Sequence, residues 1–315
     1  MKTKLIVAGI IMVNIVVWSI GLIVASSNWS LLSLLLLSWT FGGRHAFDAD
    51  HICIIDNTSR HLLSMGIECS TVGIYFSLGH CSVVLVIGII SIAAFNAIDL
   101  GIAGDYGSYI GIGVSASFLL LMSLFNFYTA FKLYKVNTDL NDDRGTSRHT
   151  RGYTSRLASN CKLYLLKIVN KPWKMTIIGF LFGLGLDTAL EIVLIIGIAN
   201  NNYSSIPKWL YILFPILFSC GMILLDGLNG QFLSHVYKWA STQDKKRFNI
   251  GIALFSALLA LFISIVQYCS FFTLAYNIDN TLNPIADNFE IIGACITGVF
   301  VFIWIGLMLY IKIKN

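Results

Sequence analysis

Charge is scarce in this sequence. Asp, Glu, Lys and Arg together make up 12% of its 315 residues, about half the share a soluble domain carries. That scarcity excludes an ordinary soluble fold, and 57% of the residues are apolar. The period-2 alternation of a membrane β-barrel is absent too, so apolar runs this long must be helices, which satisfy their backbone groups internally. No glycine-rich loop ending in Gly-Lys-Ser or Gly-Lys-Thr occurs, so no ATP-binding motif is present. His-Glu-x-x-His and clustered histidine boxes are also missing, which argues against an intramembrane metalloprotease or desaturase. The seven cysteines, at 53, 69, 81, 161, 220, 269 and 295, are odd in number and lack the paired spacing of zinc or redox sites. They read as small apolar packing residues.

What is there instead is a series of apolar runs, each near the 20 or so residues that cross a bilayer. They lie near 5–25, 30–57, 70–95, 108–134, 175–200, 208–235, 249–276 and 288–311. The first follows Lys2 and Lys4, yet it is too long for a signal-peptide core and no small-x-small cleavage site follows, so it reads as a retained helix. The expected fold class is an all-α integral membrane protein of about eight transmembrane helices. If those helices alternate, nineteen of the 21 Lys and Arg residues, all but Arg44 and Lys208, fall on one side. The positive-inside rule puts both termini in the cytoplasm. The opposite loops carry Asp99, Asp105, Asp279 and Asp287. The net charge of +5 therefore encodes topology and the lipid bilayer as partner, with no nucleic acid implied.

The organisation is two halves, residues 1–134 and 175–315, joined by a basic cytoplasmic loop at 135–174. Within that loop Leu157 to Val169 suits a helix lying in the membrane interface, although a plain loop fits nearly as well. A short echo links the halves. Phe41-Gly42 precedes Phe76-Ser77-Leu78-Gly79-His80, and Phe182-Gly183 precedes Phe218-Ser219-Cys220-Gly221-Met222. Under the topology above these pairs run in opposite senses, as in the inverted repeats of secondary transporters.

Ionisable groups inside membrane helices are costly and mark ion paths. The second helix holds His45, Asp48, Asp50 and His51, with Asp56 near its cytoplasmic end; the third holds His80, the fifth Asp187 and Glu191, and the sixth Asp226 followed by Asn229. Imidazole with carboxylate suits divalent nickel, cobalt, iron and zinc, whereas all-oxygen sets suit magnesium and calcium. At about 100° per residue His45, Asp48 and His51 share one drifting face, and Asp50 points elsewhere. For Asp50 to join them the helix must open near Gly42 and Gly43; otherwise Asp50 orients another ligand or pairs with Arg44. Asp187 and Glu191 share a face as a cation relay or as a structural pair. Cys53 and Cys81 adjoin the cluster, with packing favoured over ligation, and His61, His149 and His235 read as solvated cytoplasmic groups.

These residues carry a resemblance to the nickel/cobalt transporter family of eight-helix permeases. Its second-helix signature, Arg-His-Ala-x-Asp-Ala-Asp-His-Ile, is matched from Arg44 to Ile52. The third-helix Phe-x-x-Gly-His appears at Phe76 to His80. The fifth-helix Leu-Gly-x-Asp-Thr-Ala-x-Glu runs from Leu184 to Glu191, and the sixth-helix Gly-Met-x-x-x-Asp is Gly221, Met222 and Asp226. The chain departs from the family at Gly227 and Asn229, where Thr and Asp are usual, and at Leu190, where Thr is common. The resemblance implies import of Ni²⁺ or Co²⁺ across a bacterial cytoplasmic membrane, with the metal as substrate, no resident cofactor and no enzymatic activity. It also implies that His45, Asp48, Asp50 and His51 bind the metal, with His80, Asp187, Glu191 and Asp226 in support. A proton-dependent exporter of the same metals is the nearest rival, because binding chemistry carries no direction.

Overall fold

The computed structural model describes residues 2–26, 29–94, 100–141, 169–185, 187–202, 206–242, 246–276, 288–289, 291–299 and 302. Among these the chain forms α1 (Lys2–Ala25), α2 (Trp29–His45), α3 (Ala49–Ser64), α4 (Val72–Ala94), α5 (Leu100–Asn141), α6 (Met175–Gly183), α7 (Asp187–Asn202), α8 (Leu213–Thr242) and α9 (Lys246–Tyr276). Short 3-10 turns sit at Pro172–Lys174 and Lys208–Ile212, and a further helical stretch covers 291–299. No strand occurs among the described residues.

Five stretches are long and apolar enough to cross a membrane: Leu5–Ala25, Val72–Ala93, Tyr109–Tyr128, Lys208–Lys238 and Leu254–Tyr276. A sixth is added if α6 and α7, bent by 64°, count as one span. Their outward residues are large and apolar, among them Leu5, Met12 and Ile23 on α1, Leu194 on α7 and Phe272 on α9. Water would penalise so much exposed hydrocarbon; lipid does not. The chain is a multi-pass membrane protein. The spans expected near 5–25, 70–95, 108–134, 208–235 and 249–276 coincide with these five. The span near 30–57 is instead two helices of 17 and 16 residues, and half of 288–311 lies outside the described residues. The joining loop also begins later than the sequence indicates, since α5 continues to Asn141, and Leu157–Ile168 falls outside the described residues.

The break between α2 and α3 is local in origin. At the end of α2 the backbone tightens to three-residue turns, Phe47 N–H to Arg44 O at 2.9 Å and Asp48 N–H to His45 O at 3.0 Å. Asp48 then takes an extended conformation (φ −57°, ψ 138°) and starts α3 without capping it through its side chain. Its carboxylate is turned back to His45. Asp50, in the first turn, accepts the His51 N–H at 2.8 Å instead, and its negative charge complements the positive end of the helix.

Two glycine crossings hold the helices around this break. A Cβ on Gly42 would lie 2.0 Å from Phe218 O, and one on Gly221 would lie 2.3 Å from Trp39 O, so α2 and α8 meet backbone to backbone. The same contact recurs between α6 and α4: a Cβ on Gly179 would lie 1.9 Å from Phe76 O, and one on Gly79 would lie 1.9 Å from Thr176 O. Positions 39, 42, 218 and 221 thus correspond to 176, 179, 76 and 79. The structure confirms the echo at Phe76 and Phe218 but shifts its other half by one turn, because Gly42 matches Gly179 and not Gly183. Small residues at such crossings allow the close packing that membrane helices need in place of a hydrophobic drive.

Helix senses follow from the contacts. Ser38 and Gly42 meet Phe214 and Phe218, so α2 and α8 are parallel. Gly73, Cys81 and Gly88 meet Asp226, Met222 and Pro215, so α4 and α8 are antiparallel. Phe76 and His80 meet Gly179 and Gly183, so α6 is parallel to α4. Hence α6 is antiparallel to α2, and the units α2–α4 and α6–α8, each a broken helix followed by a long one, are inverted relative to each other. Outside them, α1 attaches through Asn14, which donates to Cys220 O and accepts from Trp39 Nε1. Helices α5 and α9 form an antiparallel pair, with Ser123 donating to Ala257 O and Ser264 to Ala116 O.

Helix α3 occupies the centre and is buried on every side from His51 to Ser59. Two of its polar side chains there are bonded from neighbouring helices. Tyr237 of α8 donates to Asp56, and Asn126 of α5 donates to Asn57. His61 is a correction: it is 3% exposed and stacks edge-on with Phe125 at 4.7 Å, because α3 runs inside the bundle and not along its surface. His235 is exposed as expected, and His149 lies outside the described residues.

Candidate metal centre

The break carries the site. His45 closes α2, His51 sits in the first turn of α3, and His80 comes from the middle of α4 opposite the gap. Each of the three offers a ring nitrogen within 4.8 Å of the other two, and the ring centroids are 4.6 to 5.0 Å apart. A metal about 2.1 Å from each nitrogen would hold them roughly 3.4 Å apart, so the rings need close only by about an ångström. Phe76 packs edge-on against His51, and Phe218 lies beside His45. One wall of the site is thus aromatic.

The three imidazoles differ in their surroundings. His45 Nδ1 lies 2.8 Å from Asp48 Oδ2, which fixes the ring with its proton on that nitrogen and leaves Nε2 as the lone-pair atom. Thr188 Oγ1 of α7 sits 2.9 Å from that Nε2. His51 Nδ1 is 3.4 Å from Asp226 Oδ2 of α8, a pair whose side chains are only 2% and 0% exposed; Ser77 Oγ donates to the same oxygen at 2.6 Å. His80 is 4% exposed, and neither of its ring nitrogens meets a hydrogen-bond partner among the described residues. Leaving such a buried group unsatisfied is costly. A cation held at the centre would satisfy one of the two nitrogens.

The remaining candidates are distributed around this core. Asp50 faces away from the three rings: its Oδ2 accepts from Gln267 Nε2 at 3.0 Å and lies 3.1 Å from Ser115 Oγ. The helix does open, but at Ala46–Asp48 and without bringing Asp50 to the rings. Arg44 pairs with Glu191 at 2.6 Å and not with Asp50; its guanidinium lies 4.7 Å from the centroid of Phe41. That pair is partly exposed, at 47% and 29%, and spans α2 and α7 one turn beyond the contact between Thr188 and His45. Asp187 opens α7, and its side chain lies outside the described residues. Asn229 is one turn beyond Asp226, its Nδ2 buried without a partner among the described residues. Cys53 is buried in the core, and Cys81 donates to Met222 Sδ at 3.4 Å, so both serve packing in this conformation.

Sequence reading missed Thr188, Ser115, Gln267 and Ser77. Thr188 stands inside the Leu184 to Glu191 stretch, but a hydroxyl in a membrane helix is ordinarily satisfied by its own backbone. Gln267 had a stronger signal, as an amide in the otherwise apolar Leu254–Tyr276 span, where an unpaired amide is expensive.

Comparison with known proteins bears on the whole chain. Residues 31–310 match the family described as high-affinity nickel-transport protein. The high-affinity nickel-transport protein NixA of Helicobacter pylori is 33% identical over 94% of this chain and 93% of its own length. A high-affinity nickel transport protein of Cupriavidus necator is 30% identical, covering 100% of this chain and 93% of its own. The cobalt transport protein NhlF of Rhodococcus rhodochrous is 30% identical over 89% and 82%. No solved structure matches the chain.

Proposed function

The chain belongs to the family of high-affinity nickel-transport proteins, and from that premise we propose that it imports Ni²⁺, with Co²⁺ as a second cargo, through the centre formed by His45, His51 and His80. The observation that carries this reading is the convergence of three imidazoles across a helix break, two of them buried and one of those, His80, with both nitrogens unpaired among the described residues. Imidazole nitrogen suits late first-row divalent ions. Asp48 and Asp226 orient His45 and His51 and offset the charge of the cargo.

The protein lies in the bacterial cytoplasmic membrane with both termini and the 135–174 loop inside, as its positive charges favour. The α2 helix then descends from the outer face. Metal arrives past Arg44 and Glu191, where His45 and Asp48 retain 16% exposure, and leaves past Asp226 toward Asp56 and Tyr237, which are buried here. A closed inner side with a partly open outer side suits a conformation that loads from outside. Release follows from movement of one inverted unit against the other. The driving force needs no ATP: a divalent ion entering a negative interior gains about 4.6 kcal/mol per 100 mV, enough for accumulation on the order of a thousandfold.

Radioactive nickel uptake in cells expressing the chain tests both cargo and direction. An importer raises accumulation at low external nickel and sensitises the host to excess; lowered accumulation with increased tolerance would mean export and defeat the reading.

Thr188 supplies a sharper check. Nickel must displace its hydroxyl from His45 Nε2, a neutral hydrogen bond worth about 1 kcal/mol. Thr188→Val, which keeps the shape, lowers the half-saturating nickel concentration by about fivefold. A rise instead would mean that the hydroxyl turns to ligate the ion.

A further inference from the structure

Asp50 is the immediate sequence neighbour of His51, yet both its oxygens are engaged elsewhere. Oδ1 accepts the His51 N–H at 2.8 Å. Oδ2 faces Gln267 Nε2 at 3.0 Å and Ser115 Oγ at 3.1 Å, and Ser115 Oγ is itself 2.8 Å from Gln267 Oε1. Ser115 and Gln267 are 4% and 5% exposed. They belong to the α5 and α9 pair, outside the two inverted units and outside every motif that carries the family resemblance. Within this triangle of carboxylate, amide and hydroxyl Gln267 gives an N–H to Asp50, and the one Ser115 proton goes either to Asp50 Oδ2 or to the Gln267 carbonyl.

We propose that Gln267 and Ser115 are positioning residues that set the cation selectivity of the site, by holding the Asp50 carboxylate out of reach of the three imidazoles. The proposal rests on the reading that those imidazoles hold the cargo. A ligand set of nitrogen alone favours nickel, cobalt and zinc, while each added carboxylate oxygen moves preference toward harder ions such as Mn²⁺ and Mg²⁺. Releasing Asp50 is the shortest route by which such an oxygen enters, because its backbone is already fixed beside His51. Gln267 is the stronger of the two anchors. Its amide can donate to Asp50 wherever the Ser115 proton points, whereas the single hydroxyl proton of Ser115 serves one acceptor at a time. Burial makes the anchor firm, since among the described residues the amide nitrogen has no other acceptor.

The test is nickel uptake in the presence of excess Mn²⁺, compared across wild type, Gln267→Leu, Ser115→Ala and Ser115→Thr, with the amount of each protein in the membrane measured. Wild type and Ser115→Thr take up nickel undisturbed by Mn²⁺. In Gln267→Leu the discrimination between nickel and Mn²⁺ falls by about tenfold, the scale of one hydrogen bond to a charged group, and Ser115→Ala shifts it the same way by less. Ser115→Ala removes a single buried oxygen, so its ratio of nickel to Mn²⁺ uptake remains readable even where Gln267→Leu fails to reach the membrane. Variants that lower the maximal rate with unchanged discrimination overturn the proposal and leave the cargo assignment standing. Wild-type cells that take up no nickel overturn the cargo assignment and this proposal with it.

Discussion

Cells expressing His80→Ala accumulate nickel more than about a hundredfold more slowly than cells expressing the wild type. Changing a residue that only orients a metal ligand already costs about ten- to a hundredfold, and in the proposed site the His80 ring touches the metal itself. Of the three imidazoles it is the cleanest to remove. His45 is bonded to Asp48 and Thr188, and His51 lies against Asp226, so their loss strands other buried groups. His80 has no hydrogen-bond partner among the described residues to strand. Its replacement by alanine costs packing against Phe76 but exposes no orphaned carboxylate. If transport is lost while the protein reaches the membrane in normal amount and binds no nickel in detergent, the ring is a ligand. His80→Ala with wild-type uptake would remove the site proposed here. Asp48→Asn makes an informative companion: it weakens the orientation of His45 without deleting a nitrogen donor, so its loss is smaller.

The second large effect is structural. Gly42→Ala places a methyl group 2.0 Å from Phe218 O, 2.7 Å from Phe218 C and 2.9 Å from Phe218 Cα. All three are backbone atoms, so no side chain can swing aside, and α2 must separate from α8 by more than an ångström. Overpacking of a tight core typically costs about 1–3 kcal/mol and occasionally more; a clash with main chain belongs at or above the upper end. His45 is three residues farther along α2, so the same displacement pulls one imidazole from the site. Gly42→Ala therefore lowers both the thermal midpoint of the purified protein and nickel uptake. Gly179→Ala, the equivalent position in the other unit, meets Phe76 O at 1.9 Å and has a matching effect. Gly9→Ala is the control, as nothing lies within 4 Å of its position. Equal stability of all three variants would contradict the crossings.

Both outcomes depend on features of unequal visibility in the sequence. The membrane character, the helical class and the polar cluster at His45 to His51 were open to reading because each is a property of local composition. Lipid admits few charges, so the exceptions stand out. The inverted repeat was half visible. Phe76 and Phe218 do correspond, but Gly183 drew the comparison away from Gly179, since identical dipeptides carry no information about which glycine meets a neighbouring backbone. The location of the break was also near but displaced. Two glycines are an obvious weak point, yet Gly42 and Gly43 are needed inside α2 for its crossing with α8, and the chain opens at Ala46–Asp48 instead.

Other features had no local signature. His61 resembles a solvated end of a helix until α5 is laid over it. Arg44 and Asp50 are six residues apart and of opposite charge, yet each is bonded to a helix from elsewhere in the chain. The pairing of Thr188 with His45 joins residues 143 apart, and that of Gln267 with Asp50 joins residues 217 apart. What the order of amino acids dictated is where polar atoms enter the membrane and which helices must carry them, because transfer from water to lipid is paid residue by residue. Which of those atoms face one another was decided by helix crossings set through the glycine contacts. Direction and distance between side chains on different helices exist only once the helices have packed.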